Sequence, residues 1–287
     1  MAIVPRSTLG MLGGGQLGRM FVIAARTMGY DVIVLDPDPN SPAGGVATEH
    51  LSRVYDDTKA LDYLAQRCAV VTTEFENIPA LTLAYLAKKV AVHPSANVMH
   101  IAQHRKLEKQ FFRDQGLDTA DFIALESESD LESARDFTFP AILKTSMLGY
   151  DGKGQVVCKR FSDLKAAFEQ LGKKHCLLEQ RIDLACEVSV VLGRSTSGEV
   201  TCFPIAENSH ANGILDVTLV PASISTALAD QAIDAATRIA NGLDYCGVLA
   251  VEFFISTDDR VLVNEMAPRP HNSGHYTLDA CATSQFE

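Results

Sequence analysis

A chain of 287 residues, 47% apolar and 21% charged, has the length for two or three domains and the composition of a globular protein, which excludes the disordered and fibrous classes. Its 36 acidic against 25 basic residues leave a formal net charge of −11, which argues against a nucleic-acid partner, because phosphates need a basic face. No apolar run approaches a membrane span, and MAIVPRSTLGMLGGG lacks a signal-peptide core. Seven isolated cysteines without a C-x-x-C pair suit reduced thiols, so the expected compartment is the cytoplasm.

Thr8–Leu12 reads as a short apolar strand running into Gly13-Gly14-Gly15-Gln16-Leu17-Gly18. A helical pattern follows (Leu17, Met20, Phe21, Ala24, Met28), then a strand Asp31–Leu35 ending on Asp36. This is a βαβ start with G-x-G-x-x-G at Gly13, Gly15 and Gly18, a turn whose backbone can approach a phosphate at a helix N-terminus. By itself it suits a dinucleotide or any phosphate monoester. A helix over 60–66 and a strand Ala69–Thr73 come next, the strand ending on Glu74-Phe75-Glu76. Carboxyl ends of parallel strands line the ligand crevice, so Glu74 or Glu76 is a candidate to grip a substrate amine. Capping of the helix near Pro79 is an equal alternative for either one. His93-Pro94-Ser95 marks a boundary, giving a first domain over residues 1–95.

One long helix is expected over 97–115, stopped by Gly116, with His104, Arg105, Lys106 and Lys109 on what is by default a solvated face. From Phe139 the pattern turns to α+β. A strand 139–144 and a strand 155–158 flank Thr145–Gly154, a glycine-rich loop bracketed by Lys144 and Lys153. Such a loop can cover a polyphosphate with backbone donors and cationic counter-charge. A helix follows Ser162, strands are expected at 176–180, 187–193, 199–206 and 214–220, and an amphipathic helix spans 226–241.

Val248–Ser256 and Arg260–Met266 read as a hairpin about Thr257, Asp258 and Asp259. With Asp258-Asp259 as a two-residue turn, Glu252 falls directly opposite Glu265. Two facing carboxylates repel, so a cation is expected between them, and a hard ion such as Mg²⁺ shared with substrate phosphates suits the oxygens. Asn264, Arg269, His271, Asn272 and Ser273 form a polar cluster just beyond.

Taken in order, GMLGGGQLGRM, TTEFENIP, LGYDGKGQ, LEQRIDLACEVSVV, ENSHANGIL, VEFF with VNEMAPRPHNSGH, and DACATSQFE resemble the ATP-grasp family. Within it they are similar to the ligases that carboxylate 5-aminoimidazole ribonucleotide in de novo purine biosynthesis. The resemblance implies a Rossmann-like domain followed by an ATP-grasp domain over 96–287, with a lid at about 117–180. It further implies that the substrates are ATP, bicarbonate and aminoimidazole ribonucleotide, with Mg²⁺ or Mn²⁺ on Glu252 and Glu265, and it makes a homodimer possible. ATP would be held by Arg105, Lys144, Leu148, Gly149, Tyr150, Asp151, Gly152, Lys153, Gly154, Glu179, Gln180, Arg181, Ile182, Glu187, His210, Asn264 and Glu265. The ribonucleotide would meet Gln16, Leu17, Glu76 and Tyr150, and bicarbonate Arg269, His271, Asn272 and Ser273. Lys144, Arg269 and His271 would be catalytic. Family members continue through a small C-terminal β-domain carrying further cations. Here the chain reaches Glu287 within an expected helix from Thr277, so that domain is expected to be missing and ribonucleotide binding without it to be weak. Other readings are another carboxylate–amine ligase or a biotin-carboxylase-like enzyme, a nucleotide-binding module without catalysis, or, built on the glycine turn alone, an NAD-dependent dehydrogenase.

Overall fold

The computed structural model describes residues 3–147, 154–211 and 213–287. The first part is a five-stranded parallel sheet of order β3-β2-β1-β4-β5, formed by β1 (Thr8–Leu12), β2 (Asp31–Leu35), β3 (Glu49–Leu51), β4 (Val70–Thr73) and β5 (Ala91–Val92). Strands buried on both faces need helices as crossovers, and α1 (Gln16–Thr27), α2 (Thr58–Arg67) and α3 (Ala80–Leu86) supply them. Asp57 starts α2 by accepting the Lys59 and Ala60 amides. The short edge strands β3 and β5 have too few residues to show a period, so the sequence pattern does not reveal them.

The expected helix over 97–115 is two helices, α4 (Ala96–Ala102) and α5 (Arg105–Asp114). The chain breaks at His104, which is extended (φ −126°, ψ 102°). Two tertiary bonds hold the break open: the Arg105 amide donates to Ser146 O at 3.0 Å, and Gln103 Nε2 donates to Glu76 O at 2.7 Å.

A four-stranded antiparallel sheet of order β6-β9-β7-β8 follows, made of β6 (Phe122–Leu125), β7 (Ala141–Thr145), β8 (Gln155–Cys158) and β9 (Cys176–Gln180), with α6 (Leu164–Gln170) packed on it. The glycine-rich loop between β7 and β8 lies outside the described residues from Leu148 to Lys153. The last sheet has the order β13-β12-β10-β14-β15, with β11 on β10: β10 (Leu184–Arg194), β11 (Val200–Cys202), β12 (Ala206–Ala211), β13 (Ile214–Leu219), β14 (Gly247–Ser256) and β15 (Val261–Ala267). The strand expected over 199–206 is only the short β11, because Phe203, Pro204 and Ile205 lie outside the strands before β12 begins at Ala206. α7 (Thr226–Gly242), capped by Ser225, covers this sheet, and Ala236, Ile239, Val190 and Val251 join in the largest core. The helix expected from Thr277 is a single turn, α8 (Thr277–Ala280), after which Gln285 and Phe286 fold back into the protein.

Candidate active site

The break after α4, the sheet carrying β7 and β8, and the hairpin β14–β15 enclose a cleft of about 420 Å³. It gathers residues far apart in sequence: Glu76, Arg105, Lys144, Gly154, Glu187, His210, Glu252, Asn264, Glu265, Arg269, His271 and Asn272 all line it.

The hairpin puts Glu252 opposite Glu265, by a route the sequence did not show. The turn has three residues, not two. Ser256 N–H donates to Arg260 O at 3.1 Å, and Asp259 takes the left-handed conformation (φ 60°) that such a loop requires. That one-residue shift is cancelled by a bulge at Asn264, between the pairs Phe253↔Val263 and Glu252↔Glu265. The carboxylates then part ways. Glu265 turns to Arg105 (Oε2 to Nη1, 3.2 Å), and Glu252 faces His271 (Oε1 to Nε2, 3.2 Å). Burial and the charge of Glu265 push the Glu252 carboxyl up to about 8. At Glu265 burial acts the same way, but Arg105 and Lys144 outweigh it and hold its carboxyl below the usual range. Glu265 keeps 42% of its side chain accessible through the cleft, so the Arg105 contact is partly screened.

On the other side of Glu252, Glu187, His210 and Glu252 bring ligand atoms within 4.8 Å of one another. His210 Nδ1 lies 3.2 Å from Glu187 Oε2, and this partner raises its pKa. A divalent cation therefore finds oxygen donors on β10, β14 and β15, and the repulsion felt by Glu252 is what a dication would relieve.

Of the basic residues expected on a solvated face, Lys106 is exposed and Lys109 is not. Lys109 is 1% exposed and lies 3.2 Å from Glu179 Oε1, while Glu179 Oε2 accepts from Lys144. Despite burial, the two lysines hold the Glu179 carboxyl down to about 2. Glu179 is thus a buried anchor between α5 and Lys144 and does not line the cleft; neither do Gln180, Arg181 and Ile182. Glu108, equally buried, accepts the Met266 amide at 2.8 Å, next to Glu265. Sequence reasoning misses the roles of Glu108 and Lys109, although their spacing of three and four from Arg105 places them on its face of the helix.

The two acidic candidates after β4 separate. Glu74 accepts the Gly15 amide (2.8 Å) and the Gly18 amide (3.1 Å), and Asp36 accepts the Gly14 amide (2.7 Å). The Gly14, Gly15 and Gly18 amides of the glycine turn are therefore used internally, and Glu74 caps α1 instead of the helix near Pro79. Glu76 reaches the cleft and accepts from Arg269, which outweighs burial and lowers its carboxyl pKa. Gln16 is exposed on α1, and Leu17 lines a separate apolar cavity of about 310 Å³ against the C-terminal segment. Ser273 lies fully buried beneath His271, and Gln285 brackets the His271 backbone, accepting its N–H at 2.9 Å and donating to its O at 2.8 Å.

A parallel sheet followed by two antiparallel sheets that close on a cationic and carboxylate-lined cleft is the architecture of the ATP-grasp enzymes, which use ATP and a divalent metal. Residues 110–286 match the ATP-grasp domain, and residues 6–103 match the ribonucleotide synthetase preATP-grasp domain. N5-carboxyaminoimidazole ribonucleotide synthase of Brucella melitensis is 44% identical over 289 residues, covering 100% of this chain and 80% of that one. The solved Staphylococcus aureus N5-carboxyaminoimidazole synthetase, complexed with ADP, superposes with a TM-score of 0.95 at 39% identity, covering 99% of this chain and 76% of its own. The Aspergillus clavatus synthase, in complex with ADP and 5-aminoimidazole ribonucleotide, gives 0.90 at 30% identity, covering 98% and 75%. The chain belongs to the N5-carboxyaminoimidazole ribonucleotide synthase family.

Proposed function

We infer that this protein is a carbon–nitrogen ligase that carboxylates the exocyclic amine of 5-aminoimidazole ribonucleotide with bicarbonate. ATP is consumed, and 5-(carboxyamino)imidazole ribonucleotide, ADP and phosphate are formed, a step of de novo purine biosynthesis. The observation that carries the reading is one cleft lined together by Arg105 and Lys144, by Glu252 and Glu265, and by Arg269 and His271. Arg105 and Lys144 suit the phosphates of the nucleotide, and Glu187 and His210 are placed to meet the same ligand. Leu148 to Lys153 belong to this reading by resemblance alone. Arg269, held by Glu76, suits bicarbonate as a planar fork, and His271 and Asn272 adjoin it.

Bicarbonate oxygen attacks the γ-phosphorus as the bond to ADP breaks. The carboxyphosphate formed is attacked at carbon by the amine, which loses a proton as phosphate departs. The buried lysine–glutamate anchor fixes Lys144 before charge develops, and fixed donors of this kind stabilise a transition state without reorganising. The carboxylate pair fits Mg²⁺ (or Mn²⁺), which when bound supplies charge neutralisation of the transferring phosphoryl group.

The Gly14, Gly15 and Gly18 amides, engaged by Asp36 and Glu74, weigh against a dinucleotide-binding dehydrogenase. Other carboxylate–amine ligases would share the ATP side and differ in the amine. ADP release measured with Mg-ATP and bicarbonate tests the reading: it should depend on added aminoimidazole ribonucleotide. Release that is the same with and without the amine would overturn it.

A further inference from the structure

Beneath His271 a file of polar side chains, buried from Asn208 inward, crosses the last sheet. Thr218 Oγ1 on β13 donates to Asn208 Oδ1 at 3.1 Å, and Asn208 Nδ2 donates to Ser189 Oγ on β10 at 3.0 Å. Ser189 Oγ donates to Ser273 Oγ at 2.7 Å, and Ser273 Oγ lies 2.9 Å from His271 Nδ1. Ser189 and Ser273 are 0% exposed and Asn208 is 6% exposed, so water does not break the file.

Each serine hydroxyl has one proton to give, so such a file runs in one direction or the other as a whole. One fixed donor decides which. The Ser273 backbone N–H, whose proton cannot turn round, donates to His271 Nδ1 at 3.3 Å. Nδ1 is therefore an acceptor, and the hydroxyl of Ser273 also points its proton at it. Ser273 then accepts from Ser189, and Ser189 from the Asn208 amide, which leaves the Asn208 carbonyl to Thr218. Every bond in the file agrees with that single direction.

We propose that Asn208, Ser189 and Ser273 are positioning residues that lock His271 as the tautomer with its proton on Nε2, so that the ring meets the cleft as a hydrogen-bond donor. Nε2 lies 3.2 Å from Glu252 Oε1 at the cleft wall. A donor there can hold an oxyanion of bicarbonate or of the departing phosphate, whereas the other tautomer would present a lone pair to it. This catalytic consequence rests on the function inferred above. The tautomer itself does not.

The experiment is heteronuclear NMR of the histidine ring nitrogens in the metal-free and nucleotide-free protein, with the His271 signals assigned by their loss in His271→Asn. The wild type is expected to show His271 protonated on Nε2 alone. In Asn208→Asp a carboxylate replaces the donor at the head of the file, both serines should reverse, and His271 should move toward protonation on Nδ1. Should that variant fail to fold, Ser273→Ala removes one of the two donors to Nδ1, and a population with the proton on Nδ1 should emerge. A wild-type ring protonated on Nδ1, or an unchanged spectrum in every folded variant, overturns the lock. In kinetics, Ser273→Ala should lower kcat of amine-dependent ADP release roughly tenfold or more, with the KM for ATP nearly unchanged. A tautomer that shifts without loss of kcat keeps the lock and refutes the reading of His271 as the oxyanion donor.

Discussion

Glu252 and Glu265 face each other, but their environments make them unequal. Glu252 is raised by burial and by its neighbour, whereas Glu265 is held down by Arg105 and Lys144 against its own burial. A carboxyl whose folded pKa lies above its unfolded value adds stability below the unfolded value and loses it as pH rises toward the folded one. For Glu252 the window runs from the ordinary 4.5 to about 8. The metal-free protein should therefore lose stability across this range, by up to about 1.4 kcal/mol for each step of one in pH. Glu252→Gln should remove that part of the slope, so its advantage over the wild type should widen from about pH 5 to pH 8 in denaturant titrations. Glu265→Gln should behave oppositely and destabilise the metal-free protein by about 0.5–1 kcal/mol, since it strips Arg105 of a partly screened partner. Both should lose roughly a hundredfold or more in nucleotide turnover. A pH-independent difference between Glu252→Gln and the wild type would refute the electrostatic account.

At the scale of the element, α5 is the part that tertiary contacts remake. A continuous helix from Asn97 would carry Arg105 and its neighbours on one straight axis, and the break at His104 re-aims α5 into the cleft. Two buried bonds then pin α5: Lys109 to Glu179 on β9, and Glu108 to the Met266 amide on β15. Removing one partner of a buried ion pair typically costs about 3–5 kcal/mol, while replacing both partners by apolar groups can be neutral. Lys109→Met should thus cost about 3 kcal/mol in urea unfolding, and Lys109→Met with Glu179→Leu should recover only part of it, since Lys144 then loses its partner. The double variant should still bind Mg-ADP about tenfold more weakly, because Lys144 has lost the carboxylate that positions it. Calorimetric titration checks this, and unchanged affinity in the double variant would show that Glu179 does not act through Lys144.

For the whole molecule, the cleft is built by elements from residue 76 to residue 272, so a ligand there ties all three sheets together. A ligand that binds only the folded state at about a hundred times its Kd adds about 2.7 kcal/mol. Mg-ADP should accordingly raise the Tm by roughly 5 °C or more, and Arg105→Ala should abolish most of that rise. A thermal scan that shows an equal shift in the variant would place the phosphates elsewhere.

Whatever depends on short-range pattern was legible in the amino-acid sequence. The βαβ start, the two strands of the hairpin, the helix expected over 226–241 and the ordered set of motifs all rest on periodicity, turn residues and spacing within one stretch. The tertiary structure decided what depends on partners distant in the chain. Neither of the acidic residues after β4 could be assigned until the fold put Glu74 on the α1 amides and Glu76 on Arg269. Lys109 reads as solvated because a helical wheel does not know which face Glu179, seventy residues on, will cover. The register of the hairpin came out right only because a three-residue turn and a bulge at Asn264 offset each other. The link from Asn208 and Ser189 to Ser273 left no trace in the sequence, since small polar residues on β12, β10 and the turn after β15 become a network only when the fold brings them into line.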